Sequence, residues 1–258
     1  MTAYDTLFLS PHLDDAVLSC GGFIHRLTSE GKRVLVATVF SGDLVDACGA
    51  PRATSDAVGQ VLAMMDLPLG EAMARRRRED ERACARLGAE LLHLDLPEAL
   101  VRVGVDGQAI YGSVGSLFGA VDPRDAPFLE TVVEAFRDLP PAWQVVAPLT
   151  VGGHVDHRLT RQAAERVHGD IDLLFYEDFP YVTKKWLAAE RLLGRGISRW
   201  TTERVALSPS DLQAKVDAVA AYESQVGPLF GGPAAMESSV RRWARKTAGE
   251  RYRRLIPQ

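Results

Sequence analysis

Asp5-Thr-Leu-Phe-Leu-Ser10-Pro-His12-Leu-Asp14-Asp15 decides how the rest of the chain is read. Its first half is a short apolar run suited to a strand buried on both faces. A proline and two aspartates follow, where a helical pattern predicted over 15–29 begins. Strand, tight turn and helix are the opening step of a parallel sheet covered by helices. The same order recurs downstream. Strands are predicted at Arg33–Phe40, Glu90–Leu94, Trp143–Pro148 and Asp172–Tyr176. Helices are predicted at 57–87 (broken near Pro68), 127–138 and 157–168, with Gly169 as a left-handed cap and His168 as a favourable charge at the last helix end.

Two segments are longer than ordinary connections. Residues 40–56 and 95–126 carry glycine and proline with weak periodicity, and both leave C-terminal ends of predicted strands. Ligands of open α/β sheets bind on that rim, so these loops are expected to shape a pocket. After residue 185 the alternation weakens. A strand over 200–207, a helix from Ser210 to Gln225 and a breaker at Val226–Pro233 are expected. Residues 240–258 carry seven basic side chains against one acidic, and Val240, Trp243, Ala244 and Thr247 have the spacing of a docking helix with a solvated basic face. The expected fold class is α/β: a Rossmann-like, mostly parallel sheet with helices on both faces. One domain is expected over 1–258, with a core over about 5–181 and residues 185–258 packed on it.

Composition narrows the classes. The 258 residues are 47% hydrophobic and 25% charged, as in an ordinary folded chain. Thirty basic residues against 34 acidic give a net charge of −4, which disfavours a dedicated nucleic-acid binder. Cys20, Cys48 and Cys84 lie far apart and suit a reducing cytoplasm better than a disulfide framework. No apolar run approaches the roughly 20 residues that span a bilayer, and no signal peptide is visible at the start. The expected setting is cytoplasmic, without a membrane or nucleic-acid partner and compatible with a homo-oligomer.

Chemistry concentrates in two places. Ser10-Pro-His12-Leu-Asp14-Asp15 follows the first predicted strand, and Gly152-Gly-His154-Val-Asp156-His157 follows the fourth. Together they hold three of the chain's six histidines. His12 and Asp15 are three residues apart, as are His154 and His157, which at a helix entrance brings each pair to one side. Imidazole and carboxylate are the donor set of a catalytic zinc site, and iron(II) or another divalent metal can use a two-histidine, one-carboxylate set. Gly-x-Ser-x-Gly, Walker A and His-Glu-x-x-His patterns are absent from the sequence, which argues against the usual serine hydrolase, P-loop and zincin chemistries.

On these motifs the sequence resembles the PIG-L/LmbE-like zinc-dependent N-deacetylases. The likeness extends to Arg76-Arg-Arg-Glu79, His93-Leu-Asp-Leu-Pro97 and Tyr176-Glu-Asp-Phe-Pro-Tyr181, so it covers about residues 5–181. It implies one zinc held by His12, Asp15 and His157, with Asp14 as general base. It also implies that His154 stabilises the oxyanion, that Asp156 orients a histidine, and that Arg76 reaches substrate hydroxyl or anionic groups. Some relatives carry a mobile aromatic two residues before the second motif; Gly152 stands there. The implied reaction is removal of an N-acetyl group from an amino sugar or its conjugate, in antibiotic or other specialised metabolism. Amidase action on a thiol conjugate and metal-dependent phosphoester hydrolysis are the alternatives. The residues themselves fit these roles: a protonated His154 beside Asp156 would serve an oxyanion, and either Asp14 or His154 can protonate the leaving amine. Asp43 after the second strand is a further candidate for a sugar hydroxyl. The run Arg75–Arg78 with Glu79, Asp80 and Glu81 reads mostly as a solvated, self-paired helical face.

Overall fold

The computed structural model describes residues 3–169, 171–183 and 200–255. These residues form a seven-stranded sheet in the order β3-β2-β1-β4-β5-β7-β6. Five strands are parallel: β1 (Tyr4–Ser10), β2 (Val34–Thr38), β3 (Glu90–His93), β4 (Ala142–Pro148) and β5 (Asp172–Tyr176). β6 (Trp200–Val205) and β7 (Glu250–Leu255) complete one edge, with β7 antiparallel to both β5 and β6.

The sheet has a core on each face because its strands alternate. Phe8, Val36, Val146 and Leu174 point to one side, towards α1 (Asp15–Ser29) and the end of α3 (Leu69–Arg86). Leu7, Leu9, Leu35, Val145 and Phe175 point to the other, towards α4 (Phe128–Arg137) and α5 (Val155–His168). A third cluster lies above the strand ends. Leu13 and Val155, one from each motif, pack there with Ala57 and Val58 of α2 (Asp56–Met65) and with Leu100, Tyr111 and Leu117 of the long 95–126 loop. Both long loops are therefore anchored by apolar burial over the rim that carries the motifs.

The C-terminal part departs from its sequence reading. A capping box between Ser208 and Asp211 starts α6 (Pro209–Val219). α7 (Glu223–Phe230) carries Pro228 inside it, so the chain breaks at Gly231-Gly232, both at positive φ, and not at Val226. α8 (Pro233–Thr247) is the expected basic helix, but the residues after it form β7 inside the sheet. Tyr252 is fully buried, and Arg251 and Arg253 bind the buried Glu177 at 2.7 and 3.2 Å. Much of the basic tail is thus neutralised within the fold.

Other expectations change for identifiable reasons. Glu79 and Asp80 are buried, not solvated: Ser224 donates to Glu79, while Thr38, Tyr222 and the His93 ring hold Asp80. These bonds tie α3 to β2, to the end of β3 and to the chain around α7. Gly169 has φ −59°, so it is no left-handed cap. Burial lowers the pKa of His168, which stacks on Phe136 and lends no positive charge to the helix end.

Lys215 of α6 is buried, and its Nζ donates to Glu250 at 2.6 Å and to the Ser19 carbonyl at 3.1 Å. Glu250 also accepts the backbone N–H groups of Gly22 and Phe23 and the Tyr252 hydroxyl. One carboxylate therefore joins α1, α6 and β7. Glu250→Ala should cost about 3–5 kcal/mol of stability in urea unfolding, because it leaves a buried ammonium unpaired. A loss below about 1 kcal/mol would show that water replaces the carboxylate freely.

Candidate active site

Strands β1, β2 and β3 run outward on one side, and β4 and β5 on the other, so the sheet reverses its order between β1 and β4. Loops leaving two such neighbours diverge and open a crevice. The two motifs sit there: Pro11–Asp15 leaves β1, and Gly152–His157 joins β4 to α5. The rings of His12, His154 and His157 form a triangle with centroids 4.8–5.5 Å apart, and one donor atom from each lies within 4.8 Å of the others.

Asp15 is the first residue of α1, so its carboxylate faces the positive helix end. Its Oδ2 lies 3.1 Å from His12 Nδ1 and 3.2 Å from His157 Nε2, and accepts the His12 backbone N–H at 2.9 Å. The outer nitrogens are held separately. His12 Nε2 donates to Asp156 Oδ2 at 3.0 Å, and His157 Nδ1 donates to Asp178 Oδ1 at 2.6 Å. His157 Nε2 faces inward and is buried, 3.2 Å from Asp15 Oδ2 and without a hydrogen-bond partner among the described residues.

This arrangement passes a test for a metal site. Bonds of about 2.0–2.1 Å in a tetrahedron place donor atoms about 3.3 Å apart, close to the two separations at Asp15 Oδ2. Carboxylates on the outer imidazole nitrogens are the usual support of metal-bound histidines. Without a cation, Asp15 first and the outer carboxylates after it push the pKa of His12 well up and that of His157 up to about 9 despite burial. The donor chemistry therefore fits a divalent metal at His12, Asp15 and His157.

His154 stands beside this set in a different state. It is the N-cap of α5, and its Nδ1 accepts the Asp156 backbone N–H at 3.2 Å. Burial, followed by the neighbouring His12, pushes its pKa well below the ordinary histidine value. Asp156 does not make it cationic. That carboxylate is turned instead to His12, to the Ala99 N–H at 2.9 Å and to Arg102 Nη1, 2.6 Å away. A neutral His154 accepting at Nδ1 carries its proton on Nε2, which makes it a hydrogen-bond donor and not an imidazolium.

Asp14 is the N-cap of α1 and makes no side-chain cap bond. Ser10 Oγ accepts the Ala16 N–H in its place, leaving the Asp14 carboxylate to line the cleft. Burial and the adjacent Asp15 raise its pKa to about 7, outweighing the pull of Arg76 and His12. Arg76 also lines the cleft, buried, with Nη1 2.6 Å from Glu98 Oε1. Asp43 lies apart from these. The next residue on α3, Arg77, faces the other way and holds Asp43 at 2.7 Å and the Ser41 carbonyl at 2.7 Å. Asp43 is not among the described residues lining the cleft.

The structure adds Asp178, Glu98 and Arg102 to the residues picked out from sequence. Only Asp178 carried a usable signal, as part of an acidic pair directly after a buried strand. Gly152 has φ +99°, and a Cβ there would meet the Tyr181 side chain at 3.2 Å. Glycine therefore serves here to admit Tyr181, whose ring packs 6.0 Å from His157 and 6.1 Å from Phe118.

The chain is similar to known deacetylases in sequence and in fold. The sequence profile of the family described as PIG-L: GlcNAc-PI de-N-acetylase matches residues 7–168. A 2'-N-acetylparomamine deacetylase of Niallia circulans is 32% identical over 241 residues, covering 87% of this chain and 82% of the relative. A solved deacetylase–bog complex from the teicoplanin biosynthesis pathway superposes with a TM-score of 0.80 at 25% identity, covering 96% of each chain. The zinc inhibited form of the teicoplanin deacetylase Orf2 gives 0.75 at 25% identity, again over 96% of each.

His157→Ala should abolish stoichiometric metal uptake while the protein stays folded, as read by elemental analysis of dialysed samples. A variant that retains a full equivalent of metal would remove His157 from the ligand set.

Proposed function

The chain belongs to the PIG-L family of de-N-acetylases, and from that premise we propose that it removes the N-acetyl group of an amino sugar in antibiotic biosynthesis. The observation that carries the reading is the convergence of His12 and His157 on one oxygen of Asp15, with Asp14 beside it. The named relatives narrow the class: one acts on an N-acetylated paromamine and others belong to teicoplanin biosynthesis. The metal is zinc in this reading, one per chain, and two imidazoles with a carboxylate suit it; iron(II) or another divalent metal can use the same set.

When bound, the metal polarises the acetamide carbonyl and lowers the pKa of water from 15.7 to about 7. The chain's own groups do the rest. Asp14 takes a proton from the attacking water, a contribution of roughly 100- to 10,000-fold for a well-placed base. As the carbonyl carbon becomes tetrahedral, negative charge grows on its oxygen, and the Nε2–H of His154 donates to it. The amide nitrogen leaves as an amine only after it gains a proton, and protonated Asp14 returns the one it accepted. Water and amide thus become acetate and free amine. Arg76 and Glu98, joined in the cleft wall, offer donors and an acceptor to sugar hydroxyls.

Phosphoester hydrolysis generally wants two metals; among the described residues one group of side chains is placed to hold a metal ion, His12, His154 and His157, and it shares two members with the set proposed here. Among them no helix is long and apolar enough to cross a membrane.

Incubating the metal-loaded protein with a panel of N-acetylated amino sugars should release acetate and free amine in equal amounts. Asp14→Asn should retain metal and lose at least about 100-fold in kcat. Unchanged turnover would remove Asp14 as the base, and metal-replete protein inert across the panel would overturn the proposed substrate class.

A further inference from the structure

The 95–126 loop does more than roof the cleft. After the short 3-10 turn Ala99–Val101, it sends Arg102 inward beneath the motifs. Arg102, Asp125 and Asp156 are all buried, at 5%, 1% and 0% exposure. The guanidinium binds Asp125 in a two-pronged fashion, Nε to Oδ1 and Nη2 to Oδ2, each at 2.8 Å. Its remaining Nη1 lies 2.6 Å from Asp156 Oδ1 and donates to the Pro97 carbonyl at 3.1 Å. The Tyr111 hydroxyl donates to Asp125 at 2.8 Å, and the guanidinium carbon sits 4.9 Å from the Phe128 ring centre and 5.4 Å from that of Phe40. The group is fixed on every side the structure describes.

The far end of this chain of contacts is His12. Asp156 has two oxygens: Oδ2 receives His12 Nε2 and the Ala99 N–H, and Oδ1 faces Arg102. Arg102 therefore sets the rotation of the carboxylate that sets the plane of His12. Charge points the same way. Asp125 and Asp156 are two anions in a sealed space, and Arg102 is the cation that bridges them. A lysine would supply the charge but cannot bind Asp125 with two parallel bonds while also pairing with Asp156, whose Oδ1 meets the guanidinium as an ion pair and accepts no hydrogen bond among the described residues.

We propose that Arg102, seated by Asp125, is a positioning residue that holds Asp156 against His12 and so tunes metal affinity and turnover without touching substrate. This rests on the reading of His12 as a metal ligand given under Proposed function. Outer partners of metal ligands typically contribute roughly 10- to 100-fold in affinity or activity, and a guanidinium one residue further out should act at the lower end of that range.

The test measures zinc affinity by competition with a chelator of known strength, alongside kcat and KM at saturating zinc. Arg102→Lys and the gentler Asp125→Asn are compared with the unaltered protein, and Asp156→Asn with the Arg102→Lys/Asp156→Asn double variant. Both single variants should bind zinc about tenfold more weakly, with kcat reduced and KM within about twofold. Adding Arg102→Lys to Asp156→Asn should change affinity by less than about twofold, because the route runs through Asp156. Should Arg102→Lys fail to fold, Asp125→Asn alone must still weaken zinc binding. Unchanged zinc affinity in folded single variants, or fully additive losses in the double variant, would overturn the proposal and leave Arg102 a structural residue. The affinity measurement needs no substrate, so failure to find deacetylation would count against the proposed reaction and not against this inference.

Discussion

One carboxylate oxygen organises this molecule. Asp15 Oδ2 lies within 3.2 Å of an inward nitrogen from the half-buried His12 and from the buried His157, and each histidine has its other nitrogen on a further buried carboxylate. Packing Asp14, Asp15, Asp156 and Asp178 into one low-dielectric site is unfavourable unless positive charge balances them. Arg76, Arg102 and the imidazoles supply part of that balance, and a divalent metal at the inward nitrogens would supply the rest. The arrangement draws on the ends of β1, β4 and β5, which the strand order makes neighbours. Moving any of these strand ends by an ångström would separate the donors.

The C-terminal segment belongs to the same construction. β7 inserts beside β5, and its arginines hold Glu177, the neighbour of Asp178. Lys215 and Glu250 fix α1, whose first residue is Asp15. The −4 net charge therefore hides an internal arrangement in which much of the basic tail is matched to acids of the sheet edge. Over the rim that carries the motifs, the long loops contribute an apolar roof, Arg102 and the Arg76 partner Glu98. Loops expected to shape a pocket are thus continuous with the chemistry.

What the sequence disclosed was local. His12 with Asp15 and His154 with His157 could be read because each pair sits within one turn, directly after an apolar strand. The parallel core was legible for the same reason: Leu7-Phe8-Leu9 and Val145-Val146-Ala147 are continuous runs buried on both faces. Asp178 was legible only as part of the Tyr176–Tyr181 stretch and given no role, and Arg102 and Asp125 were not singled out, since their roles arise only when the 95–126 loop reaches residues tens of positions away. β7 was missed for a different reason. Arg251, Tyr252 and Arg253 alternate with a period of two, but they follow a helical basic stretch whose pattern masks it. Glu79 and Asp80 looked solvated because charge beside arginine usually is; burial against Ser224 and Tyr222 is tertiary information. The low pKa of His154 comes from burial and from His12 beside it, and a sequence shows neither.

A crystal structure of the zinc-loaded protein tests the central claim most directly. The account predicts one ion bonded to His12 Nδ1, to Asp15 and to His157 Nε2, with Asp156 and Asp178 still on the outer nitrogens and His154 outside the ligand set. An ion held by His12, His154 and His157 together, with Asp15 unbound, would contradict it.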